Sequence, residues 1–229
     1  MNKIYTFGCS FTYGQGFPDS LHAGKEYPTS MYAWPNVLKN LVDQEVINLS
    51  WGGASMLYIQ RSFCMNMDKF NEGDTIIIQW PFLSRWSVIR GSDIGDIFNM
   101  TPGPVDLDEG LPHWDRYTSE FSNVRHEVEM FCMISYSIQN ICKNKKLNFV
   151  QRIFDDNDLR NIKKYKPDWY NIKVPNLSLK CCLIDINKAR LDKLLNVNMG
   201  HLPDLHLNEG CHIYWAHSIL NELKRLQVF

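Results

Sequence analysis

The sequence predicts an α/β fold built on a parallel sheet, and three observations lead there. Short apolar runs alternate with longer amphipathic ones along the 229 residues. One short run, "TIIIQW" at 75–80, is apolar on both faces, as a strand covered on both sides of a parallel sheet must be. The length and the 45% hydrophobic and 21% charged content suit one soluble domain large enough to bury a real core.

Lys3–Phe7 reads as the first strand. Trp34–Leu41 is a helix with Pro35 in its first turn, where the missing N–H costs nothing. Glu45–Leu49 is the second strand. Ala54–Phe70 is a helix, because Met56, Ile59, Phe63 and Met67 recur at helical spacing. Gly73-Asp74 turns the chain into Thr75–Trp80, the third strand. Residues 88–122 follow as a long irregular stretch containing "GSDIGD" and "TPGPVDLDEGLP", a loop insertion of the kind that serves as a lid or binding loop. Asn123–Cys142 resumes a helix and Leu147–Ile153 is strand four. Asp155–Lys173 is helical in part, Cys182–Ile186 is strand five, Asn187–Leu194 is a short helix and Cys211–Leu226 closes the chain as a helix. Strands that alternate with helices give a three-layer sandwich with helices on both faces. Five of them fit the flavodoxin-like order 2-1-3-4-5, and residues 1–229 read as a single domain.

Composition narrows the function. A net charge of −1 and the lack of a basic stripe argue against a nucleic-acid partner and an anionic membrane surface. No run approaches 18 apolar residues, and Met1-Asn2-Lys3 leads straight into a strand without a signal-peptide core, so no membrane partner is expected. Seven cysteines without C-x-x-C spacing read as reduced thiols, which places the chain in the cytoplasm. Aromatics make up 13% of the chain, enough to fill a core and also to line a cleft that stacks on sugars. Neither a dinucleotide fingerprint nor a phosphate-binding loop is present. His201, Asp204, His206, Cys211, His212 and His217 crowd together, but His212 and His217 are five apart on a helix and the spacing fits no zinc finger. No metal and no cofactor is expected.

Ligands of such sheets bind at the carboxyl ends of the strands. There, after strand one, lies "FGCSFTYG", residues 7–14, with two candidate nucleophiles, Cys9 and Ser10. A thiolate is the stronger nucleophile, but a small cysteine also serves as a buried apolar residue. Near the other end lies "PDLHLNEGCHIYWAHSIL", residues 203–220, where Asp204 and His206 can supply an orienting acid and a base.

Together the two ends resemble the SGNH, or GDSL-type, hydrolases. That family carries Gly-Asp-Ser after its first strand and a glycine block after the second. It has Gly-x-Asn-Asp after the third and Asp-x-x-His-Pro-Asn near the end. "GCS" at 8–10 matches the first block with Cys9 in place of the Asp, and Thr12 also matches. "NLSWGGAS" at 48–55 resembles the second block, "HLNEGCHIYWA" at 206–216 the last, and "WPNVL" at 34–38 the first helix. The resemblance implies a serine hydrolase acting on an ester, such as a carbohydrate O-acetyl group, through an acyl-enzyme on Ser10. His206 is then the base, Asp204 orients it, and the backbone N–H groups of Ser10 and Gly53, with Gly52 as the alternative glycine, hold the oxyanion.

This chain departs from the pattern in three places. Asp204 precedes His206 by two residues instead of three. Gly210 comes one position early. The third block reads "QWPFLSRW" and lacks the Asn, a donor whose loss costs on the order of 10²–10³ in rate. Ser84, Gln79 and Arg85 are the candidates to replace it, with Ser84 assigned to the oxyanion hole. Arg85, Trp80, Trp114 and Tyr117 are assigned to substrate, Arg85 because its fixed charge can hold an anionic group. Acyl transfer by the same serine, or a non-catalytic carbohydrate-binding or scaffolding role on a decayed hydrolase fold, are the alternative readings.

Overall fold

The computed structural model describes residues 2–20, 28–89, 97–100, 123–153, 155–174 and 207–228. Four strands form the main sheet: β1 (Ile4–Phe7), β2 (Val46–Asn48), β3 (Thr75–Trp80) and β6 (Asn148–Ile153). They run parallel in the order β2-β1-β3-β6, with Tyr5 beside Ile47 and Ile76, and Ile77 beside Val150. This matches the first four places of the expected order. The sheet has four strands among the described residues, not five, because the stretches expected as strand five (182–186) and the helix after it (187–194) lie outside them.

All six side chains of β3 are buried, and they alternate between two covered faces. Trp80 points to one face. Its ring meets Phe131 edge-on at 5.3 Å, on helix α4 (Val124–Asn144), and its Nε1 donates to Gln151 Oε1 at 2.9 Å. Gln79 points to the other face, toward helix α1 (Ser10–Tyr13) and helix α2 (Trp34–Lys39). Helix α6 (Glu209–Arg225) packs on α2, and α3 (Met56–Met65) packs on α4, so helices cover both faces. Arg152 of β6 is 7% exposed and ion-pairs with Glu222 of α6, which fastens that helix to the sheet. Burial still holds the Arg152 guanidinium below its ordinary range, at about 10.

Two elements differ from expectation. The helix expected over 54–70 stops at Met65, and a 3₁₀ turn, Met67–Lys69, follows. Ser55 caps its start by accepting from Tyr58 N at 3.2 Å. Asn66 ends it by turning its amide back to Ser62 O at 2.8 Å, the local competition that makes Asn a poor interior residue. The stretch expected to be irregular from Val88 begins as an antiparallel hairpin, β4 (Trp86–Ile89) with β5 (Ile97–Met100), Trp86 facing Met100. Each strand has four residues, too short for alternation to stand out beside the glycines and prolines that follow.

A buried polar network joins sheet to helix behind Trp80. Gln151 Oε1 accepts from Trp80 Nε1 and from Ser135 Oγ at 2.7 Å, and the Ser135 hydroxyl lies 2.9 Å from Tyr170 Oη. Replacing Gln151 with Leu strands these groups in the core. The Gln151→Leu protein is expected to lose about 3 kcal/mol of stability in urea unfolding, whereas a loss near zero would show that the network is energetically idle.

Candidate functional site

The site is built on the loop after β1. Phe7 ends the strand and Gly8 follows, a position that admits no side chain: a Cβ there would fall 2.0 Å from Thr12 Oγ1 and 3.2 Å from Gln79 O. Cys9 then caps α1, its carbonyl accepting from Thr12 N and Tyr13 N, both at 2.9 Å. Ser10 is the first helical residue, and Gly14, at φ 79°, closes the turn in the left-handed region that favours glycine.

The two candidate nucleophiles part company here. Cys9 is fully buried and belongs to the hydrophobic core. Ser10 sits at the start of the turn with 3% of its surface exposed. Cys9 thus packs as an ordinary apolar residue, and Ser10 keeps the slightly greater exposure of the two.

The loop after β2 is tied to this turn. Trp51 N donates to Gly8 O at 3.1 Å, and Asn48 Nδ2 donates to Thr12 O at 3.0 Å. Gly53 follows at φ 73°, in the left-handed region that favours glycine. The loop after β3 reaches the same place from the other side. Phe82 meets Phe11, the neighbour of Ser10, edge-on at 6.4 Å. The Arg85 guanidinium lies 5.3 Å above the Phe82 ring. Ser84 is half-buried in that loop. The structure thus gathers the loops of Ser10, Gly53 and Ser84-Arg85 at the carboxyl ends of adjacent strands.

Trp80, assigned to substrate from the sequence, is corrected by this geometry: it is fully buried in the core, on the face covered by α4. Asp204, His206, Trp114 and Tyr117 lie outside the described residues. The chain just beyond His206 is anchored: Leu207 is in the core, and Asn208 caps α6 by accepting from Cys211 N at 3.3 Å. His212, matched by the sequence to the last block, is buried and serves the fold. Its Nδ1 accepts at 3.0 Å from Trp34 N, an N–H at the start of α2 that no helical carbonyl can satisfy. Among the described residues, no group of three or more His, Cys, Asp or Glu side chains is placed to hold a metal ion. Nor is any described helix long and apolar enough to cross a membrane.

Two residues carry more of this arrangement than the sequence reading gave them. Gln79, considered only as a third oxyanion donor, accepts at its Oε1 from both Thr12 Oγ1 and Trp34 Nε1 at 2.8 Å. The signal was an amide inside an otherwise apolar strand. Asp158, on helix α5 (Asp156–Tyr165), accepts from Leu83 N at 3.0 Å and so anchors the loop that carries Ser84 and Arg85. Nothing in the local sequence links it to that loop.

Comparison with solved structures bears on the fold. An acetyl xylan esterase from the rumen bacterium Butyrivibrio proteoclasticus superposes with a TM-score of 0.51 at 13% identity, over 100% of this chain and 65% of that one. A member of the lipolytic protein G-D-S-L family from Veillonella parvula superposes with a TM-score of 0.51 at 14% identity, over 98% of this chain and 100% of the other. The chain shares their fold. No protein-family profile matches it, and no curated protein matches it. At these identities the likeness concerns the fold alone, and this chain spans about two thirds of the length of the first of the two.

Burial is the main cause that pushes the Asp158 carboxyl up to about 7. The Leu83 N–H pulls it down, and the Asp155 and Glu127 carboxylates push it further up. The folded protein therefore holds this proton more tightly than the unfolded chain. The associated stability is complete below the ordinary value of 3.8 and is lost as the pH rises through about 7. Asp158→Asn keeps an acceptor for Leu83 N and removes the charge. Its thermal midpoint is expected to exceed that of the parent at pH 8, with a flatter dependence on pH between 4 and 8. An unchanged slope in a pH series of melts would contradict the assignment.

Proposed function

We propose that this chain is an ester hydrolase of the SGNH, or G-D-S-L, type. The observation that carries the reading is Ser10 at the first position of α1, at the carboxyl end of β1, with the Gly53 turn bonded to the same loop through Trp51 N and Gly8 O. The fold shared with an acetyl xylan esterase and a lipolytic G-D-S-L protein supports it.

In this mechanism Ser10 Oγ attacks the ester carbonyl while His206 takes its proton. The tetrahedral oxyanion rests on the backbone N–H groups of Ser10 and Gly53, with Ser84 as a third donor in place of the missing Asn. His206 then protonates the leaving alcohol. Water attacks the acyl-Ser10 ester, again with His206 as base, and frees the acid. Asp204 orients the imidazole and stabilises its charged form. Trp114 and Tyr117 belong to the substrate side, and a carbohydrate O-acetyl ester is the substrate class that the aromatic content of that loop suits.

A fluorophosphonate probe with mass-spectrometric mapping tests this. Labelling is expected on Ser10, lost in Ser10→Ala, slowed at least ~10³-fold in His206→Ala, and retained in Cys9→Ala. A folded protein that takes no label and cleaves no short-chain ester would refute the reading. Labelling abolished by Cys9→Ala alone would move the nucleophile to the thiol.

A further inference from the structure

We propose that Arg85 makes this site selective for esters that carry a carboxylate near the scissile bond. The inference rests on the ester-hydrolase reading above and adds a substrate class to it.

Arg85 carries an unsatisfied charge. Arg85 is half-buried, and its Nε and Nη1 are buried without a hydrogen-bond partner. Among the described residues no carboxylate forms an ion pair with it. Asp158, the acid that anchors this loop from its helix, accepts from Leu83 N. A guanidinium is always charged, and burying its donors unpaired is costly. A surface arginine escapes that cost by extending into water, but this one is held back by its stacking on Phe82 at 5.3 Å.

Position then gives the charge a direction. Arg85 N closes a tight turn on Phe82 O at 3.0 Å, so the ring and the guanidinium come from one rigid loop. Phe82 in turn meets Phe11, the residue after Ser10. A run Arg85–Phe82–Phe11 therefore leads from a permanent cation to the nucleophile's neighbour. An anionic partner at Arg85 would also shed water against these two half-buried rings, which strengthens the ion pair.

A transient oxyanion is a poorer match than a substrate carboxylate. The oxyanion exists only at the crest of the reaction, so the cost of the unpaired cation would persist in the substrate-bound molecule. A substrate carboxylate offsets that cost on binding. One guanidinium balances one negative charge, and its planar donors suit a carboxylate.

Two matched pairs of esters test the proposal. p-Nitrophenyl butyrate and p-nitrophenyl hemisuccinate differ by a carboxylate on the acyl side. 4-Methylphenyl acetate and 4-carboxyphenyl acetate differ by one on the alcohol side. In one pair the carboxylate ester is expected to show a kcat/KM roughly 10- to 100-fold higher, mostly through KM, with an advantage that shrinks as salt is added. Arg85→Met should bring that pair to parity, and Arg85→Lys should keep part of the preference. Equal rates within both pairs, or a preference that survives Arg85→Met, would overturn the proposal. So would an Arg85→Met protein slowed alike on neutral and carboxylate esters, since Arg85 would then act on the transition state. If Arg85→Met fails to fold, the parent's pair preference, its salt dependence and the Arg85→Lys protein decide. If no ester is cleaved, the hydrolase reading fails separately, and thermal shifts with sodium benzoate decide Arg85. A rise in the parent that is absent in Arg85→Met supports the anion site, and equal shifts refute it.

Discussion

The carboxyl end of this sheet depends on a single amide oxygen. Gln79 Oε1, one residue from the end of the fully buried strand β3, accepts hydrogen bonds from Thr12 Oγ1 and Trp34 Nε1. Thr12 lies two residues after Ser10, and Trp34 opens α2. One acceptor thus fixes the turn of the candidate nucleophile and the start of the helix beside it. The neighbouring bonds extend the lock: Gly8 leaves no room for a side chain over Thr12, and His212 reaches across from α6 to hold Trp34 N. A leucine in place of Gln79 would fit the apolar strand but leave two buried donors stranded.

The same economy explains where polar groups occur in the interior. Gln151 faces α4 and gathers Trp80, Ser135 and Tyr170, while Gln79 faces the opposite side and gathers Thr12 and Trp34. Each amide binds one sheet face to its helices. The ion pair of Arg152 and Glu222 does the same between β6 and α6. Each of these groups ties a helix to a sheet face by a directional contact that apolar packing alone does not supply. At the sheet's carboxyl end the loops are bound to one another by backbone bonds, Trp51 N to Gly8 O among them, and the candidate residues inherit that rigidity.

Much of this was legible in the sequence, and the parts that were not share a cause. The four strands of the main sheet and the helices beside them follow from apolar period, Pro35 and the glycine turns. "GCSFT" at a strand end, with glycines after strand two, was enough to place Ser10 and Gly53 in adjoining loops. Three features escaped. Trp80 was assigned to substrate because an aromatic at a strand end can face either way, and only the two-residue alternation against Phe131 decides it. The hairpin of β4 and β5 was hidden by its four-residue strands. Asp158 was invisible because its link to Leu83 spans 75 residues, and no local pattern encodes such a pairing. Local periodicity reads elements well; contacts between distant loops come from packing.

Ser10 and the Gly53 turn are proposed to form one nucleophile and oxyanion unit. The most direct test is a crystal structure of the protein after reaction with a fluorophosphonate. Phosphorus is expected to be bonded to Ser10 Oγ, with the phosphoryl oxygen within about 3 Å of the Ser10 and Gly53 backbone nitrogens. An adduct on another residue, or a phosphoryl oxygen turned away from Gly53 N, would contradict it.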